Sequence, residues 1–115
     1  LLDFAGVRAP HGVQGMSMAP ILRGDGGAGR EYALTELTCY DWGLNVKTIT
    51  GRHYKLTYYA DETFGELYDR DRDPQEFTNL WDDPDYADVK EQLLRRLLDR
   101  IIETEDTLPL RIGKY

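Results

Sequence analysis

The chain is poor in the residues that build the commonest catalytic and metal centres. It has one cysteine, Cys39, and two histidines, His11 and His53, in 115 residues. A lone cysteine excludes an internal disulfide framework and a cysteine-rich zinc site. Basic charge is also scarce, with 14 Lys and Arg against 21 Asp and Glu and a net charge of -7. That balance argues against nucleic acid as a partner, because no basic surface is present to release counterions from phosphates. Where basic residues do gather, Arg95, Arg96 and Arg100 are interleaved with Glu91, Asp99 and Glu103, the pattern of a solvated helix face. No apolar run is long enough to span a bilayer, and no basic start followed by an apolar run marks a signal peptide. The compartment is left open. The composition is otherwise globular: 41% hydrophobic and 30% charged residues argue against global disorder and fit one domain with a modest core. The chain begins at Leu1 in what reads as the middle of an element, so a piece of a longer protein is expected.

Punctuation and periodicity divide the chain. Leu1-Leu2-Asp3-Phe4-Ala5-Gly6 reads as a last helical turn closed by a glycine. A Gly- and Pro-rich loop follows, and Ser17 is placed to cap a short helix through Ala19-Pro20-Ile21-Leu22. The glycine run over 24–29 lacks the Lys-Ser or Lys-Thr and the preceding strand of a phosphate-binding loop, so it reads as a surface linker. Alternation and β-branched residues predict strands over 32–39, 45–50 and 53–59, with Gly51-Arg52 as the hairpin turn between the last two. A fourth strand is expected over 66–69, after the Asp61-Glu62-Thr63 turn. Asp82-Asp83-Pro84-Asp85 then opens one long helix, about 86–104, its acidic first turn suiting the helix dipole. Val89, Leu93, Leu94, Leu97, Leu98, Ile101 and Ile102 form one apolar stripe expected to pack on the sheet. The tail over 108–115 has no period. The fold class is therefore α+β, a four-stranded antiparallel sheet packed by one long C-terminal helix. Residues 1–30 read as helix end and linker, 31–70 as strands and 85–104 as helix. The sheet face away from the helix is expected to be apolar and open, a surface for a homo-oligomer contact.

No nucleophile, base or metal cluster stands out. His53 opens a strand beside Tyr54, where an imidazole could meet an anionic substrate; the plainer reading is a partly exposed strand histidine. His11, in the Pro10-His11-Gly12 loop, reads as surface. Trp42, in the Asp41-Trp42-Gly43 turn, is a large aromatic on a loop and a candidate substrate contact. Tyr40, Tyr58 and Tyr59 fit core or cross-strand pairs. Asp69, Asp71, Asp73 and Glu76 alternate with Arg70 and Arg72, as oxygen ligands of a calcium loop would. The central glycine and terminal glutamate of an EF-hand are missing, and a turn bent at Asp73-Pro74 and capped by Asn79 is the better reading.

The order of these pieces resembles the C-terminal part of the sulfatase family, within the alkaline phosphatase-like superfamily. Gln14-Gly15-Met16-Ser17-Met18-Ala19-Pro20-Ile21-Leu22-Arg23-Gly24 is similar to that family's Gln-Gly-x-Ser-Leu-x-Pro-Leu-Leu-x-Gly segment. Tyr54-Lys55-Leu56, Glu66-Leu67-Tyr68-Asp69, Asp73-Pro74, Glu76 and Asn79-Leu80 look like its strand-and-turn run ahead of a closing amphipathic helix. The resemblance implies a parent that hydrolyses sulfate esters, through a formylglycine made from the Cys of a Cys-x-Pro-x-Arg motif. It also implies a divalent metal, usually calcium, in that parent. The physical logic is electrostatic, with the metal and cations offsetting charge on the sulfuryl oxygens.

This chain departs from the catalytic part of that pattern. Cys39 is followed by Tyr40-Asp41-Trp42-Gly43, without the required Pro and Arg. The expectation is a noncatalytic C-terminal portion of a sulfuric ester hydrolase, inactive alone, with no catalytic residue, metal site or cofactor of its own. Its partner would be the missing N-terminal catalytic domain, from which residues 1–30 would be the helix end and linker, and the parent's substrate a sulfate ester. His53 and Trp42 are the candidate substrate-binding residues, on the pocket rim. A free-standing interaction module, or the tail of a phosphonate or phosphate ester hydrolase, are the alternatives.

Overall fold

The computed structural model describes residues 1–10, 12–26 and 29–105. His11, part of the glycine run and the 108–115 tail lie outside the described residues. Two compact units are distinguished, one holding Leu1–Gly29 with the end of the long helix from Glu103, the other Arg30–Ile102.

In the larger unit, β1 (Ala33–Cys39), β2 (Leu44–Thr50), β3 (Tyr54–Tyr59) and β4 (Gly65–Asp69) form a meander in sequence order, every pair antiparallel. The register aligns Leu34 with Ile49, Ile49 with Leu56 and Leu56 with Leu67. Since side chains alternate between faces, this puts one apolar row across all four strands. Ile49, Leu56 and Leu67 are fully buried there, joined by Leu93 and Leu97 of the long helix α2 (Ala87–Thr104). The α+β architecture expected from periodicity is the one observed.

The stripe on α2 is narrower than its sequence suggests. Leu93 and Leu97 are buried and Val89, Leu94 and Ile101 pack at the margin, but Leu98 and Ile102 are each 57% exposed. The ridge continuing from Leu94 through Leu98 to Ile102 turns outward, away from the buried cluster. Burial of Leu93 and Leu97 contributes roughly 1.5–3 kcal/mol each before entropy is counted. At its start, the Asp85 N–H donates to the Asp83 carboxylate at 2.9 Å, capping a 3-10 turn, Pro84–Tyr86, that leads into the helix.

The face away from α2 differs from the apolar surface expected. Val46 and Thr57 are buried there, and the Thr48 and Thr57 hydroxyls meet at 3.1 Å. The Tyr59 hydroxyl donates to Glu66 at 3.1 Å, and its ring lies 4.9 Å from that of Phe64. Lys55 reaches Glu76 at 2.5 Å and lies over the Tyr68 ring. Burial, and then the Glu66 carboxylate, raise the Tyr59 hydroxyl above its ordinary pKa.

The smaller unit contains α1 (Ala19–Arg23). Both of its turns end in the same way. Gly6 and Gly24 have φ of +66° and +78°. The N–H after each glycine reaches back five residues, Val7 to Leu2 and Asp25 to Pro20, while the glycine N–H reaches back three. This double bond pattern is the Schellman stop, and its left-handed residue explains the glycines. Ser17 sits one residue ahead of the helix cap, Met18, rather than at it; its hydroxyl accepts from the Ala19 N–H at 3.2 Å.

Candidate functional site

The β2–β3 connection carries His53. The turn is shifted by one residue from the Gly51-Arg52 expected. The Gly51 N–H donates to the Tyr54 carbonyl at 2.9 Å, so Arg52 and His53 form the tip. Gly51 is needed for packing, since a Cβ there would stand 2.7 Å from Cε1 of the Tyr32 ring. Arg70, at the exit of β4, ties the turn down. Its N–H donates to the His53 carbonyl at 2.7 Å and its guanidinium to the Gly51 carbonyl at 3.0 Å. His53 Nδ1 meets Asp71 Oδ2 at 2.5 Å, with the two side chains 55% and 62% exposed. Beside this turn lies a pocket of about 550 Å³, walled by Glu31, Tyr32, Arg52, His53 and, from α2, Gln92 and Arg96. Its mixture of cations, a carboxylate, an amide and an aromatic ring suits a polar ligand. It contains no activated nucleophile.

Trp42 occupies a different place. It closes a 3-10 turn, Tyr40–Trp42, between β1 and β2, which Gly43 ends at φ 62°. Trp42 is 83% exposed and Tyr40 92%. The two candidate residues therefore lie beyond opposite ends of β2, and seven residues at roughly 3.3 Å each separate them by about 20 Å. A single small ligand cannot touch both. Tyr40, read from sequence as a pairing residue, stands instead beside Trp42 as a second free aromatic.

The acidic run following β4 is a built turn. Asp69 is 6% exposed, and its carboxylate accepts from the Asp71 and Arg72 N–H groups at 3.1 Å and from the Tyr86 hydroxyl at 3.2 Å. Asp71 faces His53, Asp73 accepts from the Thr78 N–H at 2.8 Å, and Glu76 pairs with Lys55 and Arg70. The four carboxylates diverge to separate partners, which is the geometry of a turn and not of a cation cage. Among the described residues, no three His, Cys, Asp or Glu side chains gather around a common point.

The residue whose role the sequence conceals is Asn79. Its Oδ1 accepts from the Leu67 N–H and the Trp81 N–H at 3.0 Å, and its Nδ2 donates to the Gly65 carbonyl at 2.9 Å. The Leu80 N–H adds a bond to the Leu67 carbonyl at 2.8 Å. One side chain and one backbone group thus occupy the free edge of β4, as a fifth strand would. Trp81 then lies so close over Gly65 that a Cβ would fall 2.5 Å from its ring. Lys90 holds it from α2, 4.8 Å from the ring and donating to its carbonyl at 2.5 Å.

This arrangement has known counterparts. The family model for the N-sulphoglucosamine sulphohydrolase C-terminal region matches residues 1–103. A Delta 4,5-hexuronate-2-O-sulfatase of Bacteroides thetaiotaomicron is 32% identical over an alignment of 113 positions that covers 92% of this chain and 23% of that protein. An N-acetylglucosamine-6-O-sulfatase of the same organism is 28% identical over 94% of the chain and 21% of its own length. Among solved structures, a 2-O GAG sulfatase superposes with a TM-score of 0.82 at 32% identity, over 91% of this chain and 23% of that one. The phosphonate monoester hydrolase of Silicibacter pomeroyi superposes at 0.79 with 25% identity, over 92% and 24%. The chain spans less than a quarter of the curated sulfatases it matches. It belongs to the N-sulphoglucosamine sulphohydrolase C-terminal family and is a sulfatase C-terminal subdomain.

Proposed function

We propose that this chain is the noncatalytic end of a sulfuric ester hydrolase acting on sulfated saccharides. The observation that carries this is the family match over residues 1–103 in a chain spanning only 23% of a curated saccharide sulfatase. The chemistry of the chain supports the division of labour. Cys39 lacks the Pro and Arg of the formylglycine motif, and the four carboxylates after β4 are each engaged by separate partners of the turn. The nucleophile and the metal implied by the family are therefore assigned to the N-terminal catalytic domain, the partner of this one. The assay is the intact parent on 2-O- and 6-O-sulfated saccharides, with hydrolysis expected; no release of sulfate from any would refute the reading. A second reading, a phosphonate monoester hydrolase, is favoured by the 0.79 superposition, and phosphonate monoesters in the same assay separate the two.

Within that enzyme we assign Trp42 to the substrate-pocket rim, an assignment supported by its 83% exposure on a turn held by Gly43. Replacing Trp42 with Ala in the parent should change the ratio of kcat/KM between two sulfated sugars by about tenfold, the loss of one aromatic contact. An unchanged ratio would remove Trp42 from the rim. His53 is assigned to a separate contact at the 550 Å³ pocket, so its replacement should act independently of Trp42→Ala.

A further inference from the structure

Most cations of the larger unit are already engaged. Lys47 pairs with Glu36, Lys55 and Arg70 with Glu76, Arg72 with Asp69 and Arg95 with Glu91. Lys90 lies against Trp81, and Arg30 and Arg100 also have partners. Among the described residues of that unit, Arg52 and Arg96 are the two Lys or Arg side chains with no ion pair, hydrogen bond or ring contact. They come from the β2–β3 turn and from α2, far apart in sequence, and both wall the 550 Å³ pocket. Glu31, the one carboxylate in that wall, is likewise unpaired among the described residues. Gln92 stands one helical turn before Arg96, so its amide and the guanidinium share a face of α2. The rest of the wall is fixed in advance. Tyr32 packs over Gly51, Arg70 ties down the turn, and Asp71 holds His53 by Nδ1. A preformed wall lowers the ordering cost of binding.

Two guanidiniums against one carboxylate make the pocket positive by one charge with His53 neutral, in a chain of net charge -7. Free guanidiniums are matched by an oxyanion, which they bind through paired, charge-assisted hydrogen bonds. A free carboxylate and an amide beside them are matched by hydroxyl groups. The same carboxylate repels a ligand with many negative charges. We propose that this pocket binds a small polyhydroxylated molecule bearing one oxyanion. Arg52 and Arg96 take the anion, Glu31 and Gln92 the hydroxyls, and the Tyr32 ring backs the carbon skeleton. His53, held by Nδ1, keeps Nε2 as a further donor or acceptor. The proposal deepens the assignment of His53 to this pocket and rests on it, whichever ester the parent hydrolyses.

A sugar carboxylate and a sugar sulfate present this chemistry alike, whereas inorganic sulfate presents the anion alone and glucose the hydroxyls alone. The isotope-labelled 115-residue chain is titrated with glucuronate, glucose 6-sulfate, glucose and inorganic sulfate, and its amide chemical shifts are followed. Glucuronate or glucose 6-sulfate should shift Arg52, His53, Gln92 and Arg96 saturably, and the tighter of the two identifies the anion. Glucose and inorganic sulfate should each bind about tenfold more weakly, since each lacks one half of the ligand. Arg52→Gln combined with Arg96→Gln should weaken the sugar acid about tenfold. Glu31→Gln should weaken the sugar acid and tighten inorganic sulfate, opposite signs that loss of structure does not produce. All three positions are exposed, so the fold should survive each change. No saturable shift with either sugar acid would overturn the proposal. Equal affinity for glucose or for inorganic sulfate would also overturn it, leaving a neutral sugar cleft or a bare anion contact. Binding by the chain without sulfate release by the parent would sink the activity reading alone. Sulfate release by the parent without binding at these residues would sink the pocket alone.

Discussion

Residues 65–86 and residues 1–24 each carry family-like motif residues, yet they solve opposite problems. In the first, polar side chains finish the structure from within. Asn79 covers the β4 edge, Asp69 gathers two backbone N–H groups and a tyrosine hydroxyl, and Glu76 joins Lys55 to Arg70. In the second, the turns are closed but the apolar side chains point outward. One motif serves the subdomain's own fold and the other a surface. A recognisable sequence block therefore need not be a site, and the way its polar atoms are satisfied shows which kind it is.

Substitutions should separate the two regions by size of effect. The largest loss is expected at the core beneath the first block. Leu67 is fully buried, and Leu67→Ala should cost about 3 kcal/mol of unfolding free energy by urea titration of this chain. Asn79→Ala comes next, at about 2 kcal/mol, because it strips two backbone N–H groups and a carbonyl of their partner. A loss under about 0.5 kcal/mol would mean that water serves the β4 edge as well as Asn79 does. Leu22→Asp should change the same titration by less than about 0.5 kcal/mol, since the position is 70% exposed. If it unfolds the chain as Leu67→Ala does, the contrast between the regions fails.

The pH dependence is a smaller test of the same block. The Tyr59, Tyr68 and Tyr86 hydroxyls are all raised from 10.0, with burial the first cause in each. Each then binds its proton more tightly folded than unfolded. The stability they contribute is fully present below pH 10 and is lost as pH rises through the raised values. The urea midpoint should fall progressively above about pH 10, and Tyr59→Phe should reduce that fall.

Much of this fold is legible in the chain. Alternation around Ile49, Leu56 and Leu67, and the i, i+4 line of Val89, Leu93 and Leu97, are local patterns with one consistent tertiary solution. The failures are places where the partner is distant in sequence. Gly51 suggests a turn, but its missing side chain admits Tyr32, so the tip moves to Arg52-His53. Asn79 reads as a local cap, and two of its three side-chain hydrogen bonds are to Leu67 and Gly65, twelve and fourteen residues away. Leu98 and Ile102 match the helical period, but only the width of the sheet decides how much of a stripe is covered. For the candidate residues, sequence supplied Trp42 and His53 singly; their placement at opposite ends of the sheet follows from the meander.

The central claim is that this chain is the noncatalytic end of a sulfatase. It is tested most directly by measuring sulfate release from 2-O- and 6-O-sulfated saccharides, by the intact parent and by the 115-residue chain in parallel. The account predicts hydrolysis by the parent and none by the chain alone. Turnover by the isolated chain, or a parent that cleaves phosphonate monoesters and no sulfate ester, would contradict it.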